Sequence, residues 1–156
     1  MANVNHSSLT DPYIHEPKGA ASAAAGRVYV ANGSVSGTWT AKETLVGETL
    51  NGYIEDVSSV ETVHVPVPYA GTISKVITVL EGAIGSADAT VTVKNSSAAS
   101  MGTLTITQSG SAAGDVDTLS PSSNNTVTAD SFITVSSDGA STTQAKLRFT
   151  IVLDRS

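Results

Sequence analysis

The chain has no cysteine, which excludes a disulfide framework, a thiolate zinc site and a thiol nucleophile. Histidines number three, leaving little general-base material and too few ligands for the clustered-histidine metal site of an enzymatic cupin. Basic residues are scarce too: five Lys and three Arg stand against eight Asp and six Glu, a net charge of −6. Such a chain does not hold a phosphate backbone by counterion release, so nucleic acid is not an expected partner. The longest apolar runs fall far short of the ~18 residues of a membrane span, and no membrane partner is expected. The opening MANVNHSSLTDPY has no cationic stretch followed by an apolar run, so no signal peptide is expected. Aromatics make up only 4% of the residues.

What is abundant points one way. Ser occurs 22 times, Thr 20, Ala 19 and Val 18, against eight each of Leu and Ile. Ser, Thr and Val with few Leu, Glu or Lys favour strands and turns over helices. A length of 156 residues suits one domain, or a domain with an arm, and allows a core without staples. The expected class is all-β.

Three zones divide the chain. Residues 1–26 hold Pro12, Pro17 and Gly19, then an alanine run closed by Gly26. Eight residues bracketed by glycines are too few for a stable helix, so this zone reads as an extended arm that orders only against something else. In residues 27–56, Val28 and Val30 alternate with Arg27 and Tyr29, Asn32-Gly33 signals a tight turn, and Thr38-Trp39-Thr40 returns as a second strand. Lys42 to Asn51 is more polar and reads as a connector. The expected division is thus an N-terminal arm with a short hairpin over 1–56 and a β-sandwich over 57–156.

Within the sandwich the spacing predicts eight strands. They fall at about 58–66, 70–80, 88–94, 102–107, 115–119 and 125–129, then around Ile133 and Val135, and last from Leu147 to Leu153. Eight short strands with period-two alternation fit two packed sheets, and eight is the jelly-roll number. An immunoglobulin-like sandwich is the rival, but its Cys–Trp–Cys core is absent. The expected fold is an eight-stranded jelly-roll-like β-sandwich.

Two features suggest assembly. The 70–80 strand is apolar on both faces, including Val76 and Leu80, whereas a solvated sandwich strand is apolar on one. Val152 sits on the outward face of the last strand, and His64 alternates with valines on an outward face of the first. Either the long strand is bulged or covered by the chain's own arm, or these residues form a face between identical subunits. On the second reading His64, Val76, Leu80 and Val152 are subunit-interface residues.

The segment Asp11-Pro12-Tyr13-Ile14-His15-Glu16-Pro17-Lys18-Gly19, followed by Val28-Tyr29-Val30-Ala31-Asn32-Gly33 and Gly37-Thr38-Trp39-Thr40, resembles N-terminal segments of tailed-bacteriophage head-fibre, tail-fibre and decoration proteins. The stretches Val65-Pro66-Val67-Pro68-Tyr69-Ala70-Gly71-Thr72-Ile73, Ala87-Asp88-Ala89-Thr90-Val91-Thr92-Val93 and Gly114-Asp115-Val116-Asp117 resemble trimeric jelly-roll domains of phage capsid-decoration (cement) proteins. The resemblance implies a homotrimer standing on the outer capsid surface, made in the host cytoplasm, whose arms bind the major capsid protein. It makes Tyr13, Ile14, His15, Glu16, Pro17 and Lys18, with Trp39, the candidate capsid-binding residues. Three arms on one trimer turn weak single contacts into a strong clamp, because the later contacts are intramolecular.

Other motifs carry less. The nearest match to a nucleophile elbow, Gly33-Ser34-Val35-Ser36-Gly37, puts Val35 where the serine belongs. No P-loop or Gly-x-Gly-x-x-Gly occurs, so no enzyme activity, cofactor or catalytic residue is expected. His15-Glu16 is at most half a metal site, and Asp115-x-Asp117 lacks a further carboxylate at calcium-loop spacing. Sequons at Asn5, Asn32, Asn95 and Asn124 are expected by chance in so Ser/Thr-rich a chain. Trp39 either anchors a contact or caps the sandwich, and Tyr69 reads as a corner residue. The leading expectation is a non-enzymatic trimeric decoration protein. The alternative is a head or tail fibre whose sandwich binds a host glycan or receptor. A free carbohydrate-binding module is disfavoured, since Tyr69 and two Phe are the only aromatics assigned to the sandwich.

Overall fold

The computed structural model describes residues 23–31, 37–41 and 47–155. The chain divides into two compact units, Met1–Leu45 and Val46–Ser156. In the first, β1 (Arg27–Ala31) pairs antiparallel with β2 (Gly37–Ala41), with Tyr29 opposite Trp39. The expected turn at Asn32-Gly33 lies outside the described residues.

The second unit holds nine strands and, among the described residues, no helix: β3 (Gly47–Ile54), β4 (Thr62–Val67), β5 (Gly71–Leu80), β6 (Ala89–Asn95), β7 (Ser100–Ile106), β8 (Val116–Leu119), β9 (Thr126–Val127), β10 (Ser131–Ser137) and β11 (Leu147–Arg155). The protein is all-β; the eight stretches expected after residue 57 fall at β4 to β11, but β3 joins one of the same sheets and makes the unit nine-stranded rather than eight-stranded. The expected connector is corrected: its second half is β3, which runs antiparallel along β11 from Gly47 opposite Asp154 to Ile54 opposite Leu147. The compact unit therefore starts at Val46, and the boundary drawn after residue 56 cuts it one strand too late.

The strands form two antiparallel sheets. The β11 sheet has the order β3-β11-β5-β8, with β9 also on β5, and the β10 sheet has the order β4-β10-β6-β7. Leaving out the two-residue β9, the pairs β3·β11, β4·β10, β5·β8 and β6·β7 are nested one inside the next. Every connection except the β6–β7 hairpin then passes from one sheet to the other. Both sheets contribute to one apolar core, with Ile54, Val76, Leu147 and Ile151 from one and Val65, Val91, Ile133 and Val135 from the other. Strand periodicity explains the arrangement: along β11, Leu147, Phe149, Ile151 and Leu153 are buried while Arg148 and Asp154 are exposed. Each fully buried branched side chain of this kind contributes about 1.5–3 kcal/mol relative to exposure.

The long strand that reads as apolar on both faces is bulged. Val152 lies opposite Lys75 but Leu153 lies opposite Ile73, so Ser74 is an extra residue. The bulge lets Ile73 and Val76, three residues apart, both face the core with no exposed surface. Val76 and Leu80 are thereby corrected as interface residues: they are 0% and 1% exposed inside the chain's own core and present nothing to a partner.

The loop from β3 to β4 is tied by its own carboxylates. The Glu55 and Asp56 amides donate to Glu61 Oε2 at 2.9 and 3.2 Å. The Ser58 hydroxyl and amide donate to Asp56 Oδ1 at 2.6 and 2.8 Å, and these two bonds hold the Asp56 carboxyl below its ordinary range. Ser137, buried at the end of β10, donates to Ser59 O at 2.6 Å and so pins the loop to the β10 sheet. The β10–β11 loop is anchored at Asp138, whose carboxylate accepts from the Thr90 and Ala140 amides at 3.0 and 3.1 Å. Burial pushes that carboxyl up, but the donors outweigh it and leave it below the usual range.

Candidate functional site

The arm residues Tyr13, Ile14, His15, Glu16, Pro17 and Lys18 lie outside the described residues. Trp39 is on β2, half-buried, with its ring edge-on to Tyr29 at 5.3 Å between centroids. Arg27 Nη1 donates to the Trp39 carbonyl at 3.1 Å. Register puts Arg27, Tyr29 and Trp39 on one face of the hairpin and Val28 and Val30 on the other, with Val28 41% exposed. A hairpin of five-residue strands is marginal by itself, and the aromatic pair on one face contributes about 0.5–1.5 kcal/mol beyond its buried area.

In the second unit the outward positions of the β11 sheet fall into cross-strand rows. Tyr53, Arg148, Val79 and Val116 make one row, Asn51, Thr150, Ile77 and Thr118 the next, and Thr49, Val152 and Lys75 the third. The face is divided in kind. Its β5/β8 half is apolar: Ile77 and Val79 are half-buried, Val116 is 58% exposed, and half-buried Val152 adjoins them on β11. Its β3/β11 half is polar with one aromatic, Tyr53, 49% exposed.

That polar half contains a hollow of about 440 Å³ lined by Asn51, Gly52, Tyr53, Arg148, Phe149 and Thr150. The Thr150 hydroxyl donates to Asn51 Oδ1 at 2.7 Å. Lys146 pairs with Glu55 at 3.0 Å and stands 4.7 Å from the centroid of the Tyr53 ring. The Glu55 carboxylate holds the Lys146 ammonium above its ordinary range, and Arg148 pairs through Nε with Glu81. Sequence reasoning missed Tyr53 because β3 was read as connector and arm. The only signal for it was Leu50 and Ile54 placed four apart around Tyr53, on the opposite parity.

His64 is on the outer face of the other sheet, its ring 5.3 Å from that of Phe132 on β10. The two sheets share one core, so their outer faces look in opposite directions. His64 and Val152 therefore lie on opposite faces of the unit. A second hollow, about 530 Å³, is lined by Leu50, Pro66, Val67, Pro68, Asp130 and Ser131. Pro66 lies within the edge strand β4, where a missing amide discourages further pairing. Tyr69 is held by the guanidinium of Arg155, 3.5 Å from its ring centroid.

Asp115 closes a turn by accepting from the Ala112 amide at 2.7 Å. Burial, then the charge of Asp115, raises the carboxyl of Asp117. Among the described residues, no three His, Cys, Asp or Glu side chains converge as metal ligands. A scan against protein-family models finds no match, and a search of curated proteins finds no relative.

Proposed function

We propose that the chain is a structural virion protein without enzymatic activity, a trimeric decoration protein on the outer surface of a tailed-phage head. Its second unit is a jelly roll, and its N-terminal arm and hairpin bind the major capsid protein and tie neighbouring capsomers together. The observation that carries this reading is the nesting of four antiparallel pairs, β3·β11, β4·β10, β5·β8 and β6·β7. A ribbon of four such pairs rolled over itself yields a two-sheet jelly roll. The resemblance of residues 11–19 and 28–40 to phage virion proteins supplies the setting. The subunit contact uses the apolar half of the β11 sheet, Val152 with Ile77, Val79 and Val116. In a head-to-tail ring that half packs on a different face of the next subunit, where His64 stands. Ordering an arm costs conformational entropy that only a large contact offsets, and three arms on one trimer make that contact cooperative.

Quantitative mass spectrometry of purified virions, normalised to the major capsid protein, tests the reading. Hundreds of copies per particle are expected, and absence from the particle would sink it. A second reading, a head or tail fibre whose sandwich binds a host glycan, is favoured by the exposed Tyr53 hollow and requires about a dozen copies instead.

A further inference from the structure

We propose that the hollow between the Tyr53–Arg148 and Asn51–Thr150 pairs is a binding site for a neutral pyranose sugar. It gives the fibre reading its site and holds equally for a decoration protein, since copy number tests the one claim and sugar binding the other.

The argument begins with register. β3 and β11 set Tyr53 opposite Arg148 and Asn51 opposite Thr150. Side chains two apart on a strand are separated by roughly 7 Å. Gly52 and Phe149, between the two rows, also line the 440 Å³ hollow, which lies in the size range of small-ligand sites. A pyranose has one face of C–H groups and a rim of hydroxyls, so it needs an aromatic surface beside mixed donors and acceptors. Tyr53 supplies the surface, with its ring exposed and held in place by the Lys146 ammonium. The negative face of the ring attracts the weakly positive C–H groups.

The rim is complementary to hydroxyls. Thr150 spends its proton on Asn51 Oδ1, which leaves the Asn51 amide as a donor and the Thr150 oxygen as an acceptor toward the hollow. Arg148 engages Glu81 through Nε, and its two terminal nitrogens remain to donate. These partners fix the side chains before any ligand arrives, which reduces the entropy cost of binding. Charge selects the class of sugar. Arg148 is matched by Glu81 and Lys146 by Glu55, so the hollow has no uncompensated cation and favours a neutral hexose over a uronic or sialic acid. The apolar half of the same sheet lies on β5 and β8, so a subunit contact there leaves β3 open.

Chemical-shift mapping of the full chain, titrated with methyl glycosides of galactose, glucose and N-acetylglucosamine and separately with glucuronate and sialic acid, tests the site. A neutral glycoside is expected to bind with a Kd of about 1 mM and to move the amide signals of Asn51, Tyr53 and Thr150. Tyr53→Ala and Asn51→Ala should each weaken binding at least tenfold, while Thr103→Ala on the other sheet leaves it unchanged. Two exposed positions are chosen so that folding survives, and if one variant unfolds, the other and the shift map decide. No response up to roughly 10 mM neutral sugar, or binding indifferent to Tyr53→Ala and Asn51→Ala, would overturn the site. Tighter binding of the acidic sugars would overturn its neutral specificity.

Discussion

At the scale of single residues, the contact between Gly52 and Phe149 decides how β3 closes the core. The two are paired across β3 and β11, and a Cβ on Gly52 would collide with the Phe149 ring. The ring, 2% exposed, lies over the space that glycine leaves. Two effects oppose each other on substitution. Alanine in a strand gains about 0.5–1 kcal/mol over glycine from reduced unfolded-state freedom, whereas overpacking a fitted core costs about 1–3 kcal/mol. The steric cost is the larger, so Gly52→Ala should lower the urea-unfolding free energy by about 1 kcal/mol or more. Removing the ring removes the collision: in a Phe149→Leu background the same change should be neutral or stabilising. A Gly52→Ala variant that is destabilised equally in both backgrounds would show that the ring is not the cause.

At the scale of elements, β5 depends on one extra residue. Ser74 absorbs the register shift that lets Ile73 and Val76 share the core. Deleting Ser74 alone leaves Ile73 inward in strict alternation, whereas deleting Ser74 and Lys75 together makes Ile73 and Val76 neighbours and turns Ile73 outward and Thr72 inward. Loss of one buried isoleucine costs about 1.5–3 kcal/mol, and a buried hydroxyl without a partner costs about 1–3 kcal/mol more. The double deletion should therefore lower stability by about 3 kcal/mol or more, while Ser74→Ala stays within about 0.5 kcal/mol of wild type. Equilibrium denaturation separates these variants, and a double deletion with an unchanged midpoint would remove the bulge from the account of the core. The same element marks where the sequence could be read and where it could not. Strands with clean alternation, β4, β6, β10 and β11, were legible because apolar residues recur every second position. β5 was legible as a strand but not in its faces, since a bulge breaks the period. β3 was illegible: of its four inward positions, Glu48 and Gly52 are not apolar and only Leu50 and Ile54 carry the signal. With β3 went Tyr53, and with Tyr53 the aromatic needed to see the hollow.

At the scale of the whole molecule, the nested pairing leaves each sheet one outer face, and the two differ in chemistry. The β10 sheet shows Thr62, Thr90, Thr92, Thr103, Thr105 and Thr134, groups that stay hydrated at little cost, with the ring pair of His64 and Phe132 near its β4 edge. The β11 sheet shows Ile77, Val79, Val116 and Val152 beside one another. A contiguous apolar patch of this kind marks an interaction surface, and the proposed closed ring of identical subunits would bury it once per copy. Val116 is the position to probe, because it is 58% exposed and lies on the short edge strand β8. A substitution there should leave the unassembled chain within about 0.5 kcal/mol of its original stability. An aspartate carried into a subunit contact is another matter, since an unpaired buried charge costs several kcal/mol. Light scattering coupled to size exclusion should give a trimer for the wild-type chain and a monomer of unchanged circular dichroism for Val116→Asp. A monomeric wild type would remove the trimer. A Val116→Asp chain that stays trimeric would move the contact off the β11 sheet, and His64 with Phe132 on the opposite face would be the next place to introduce a charge.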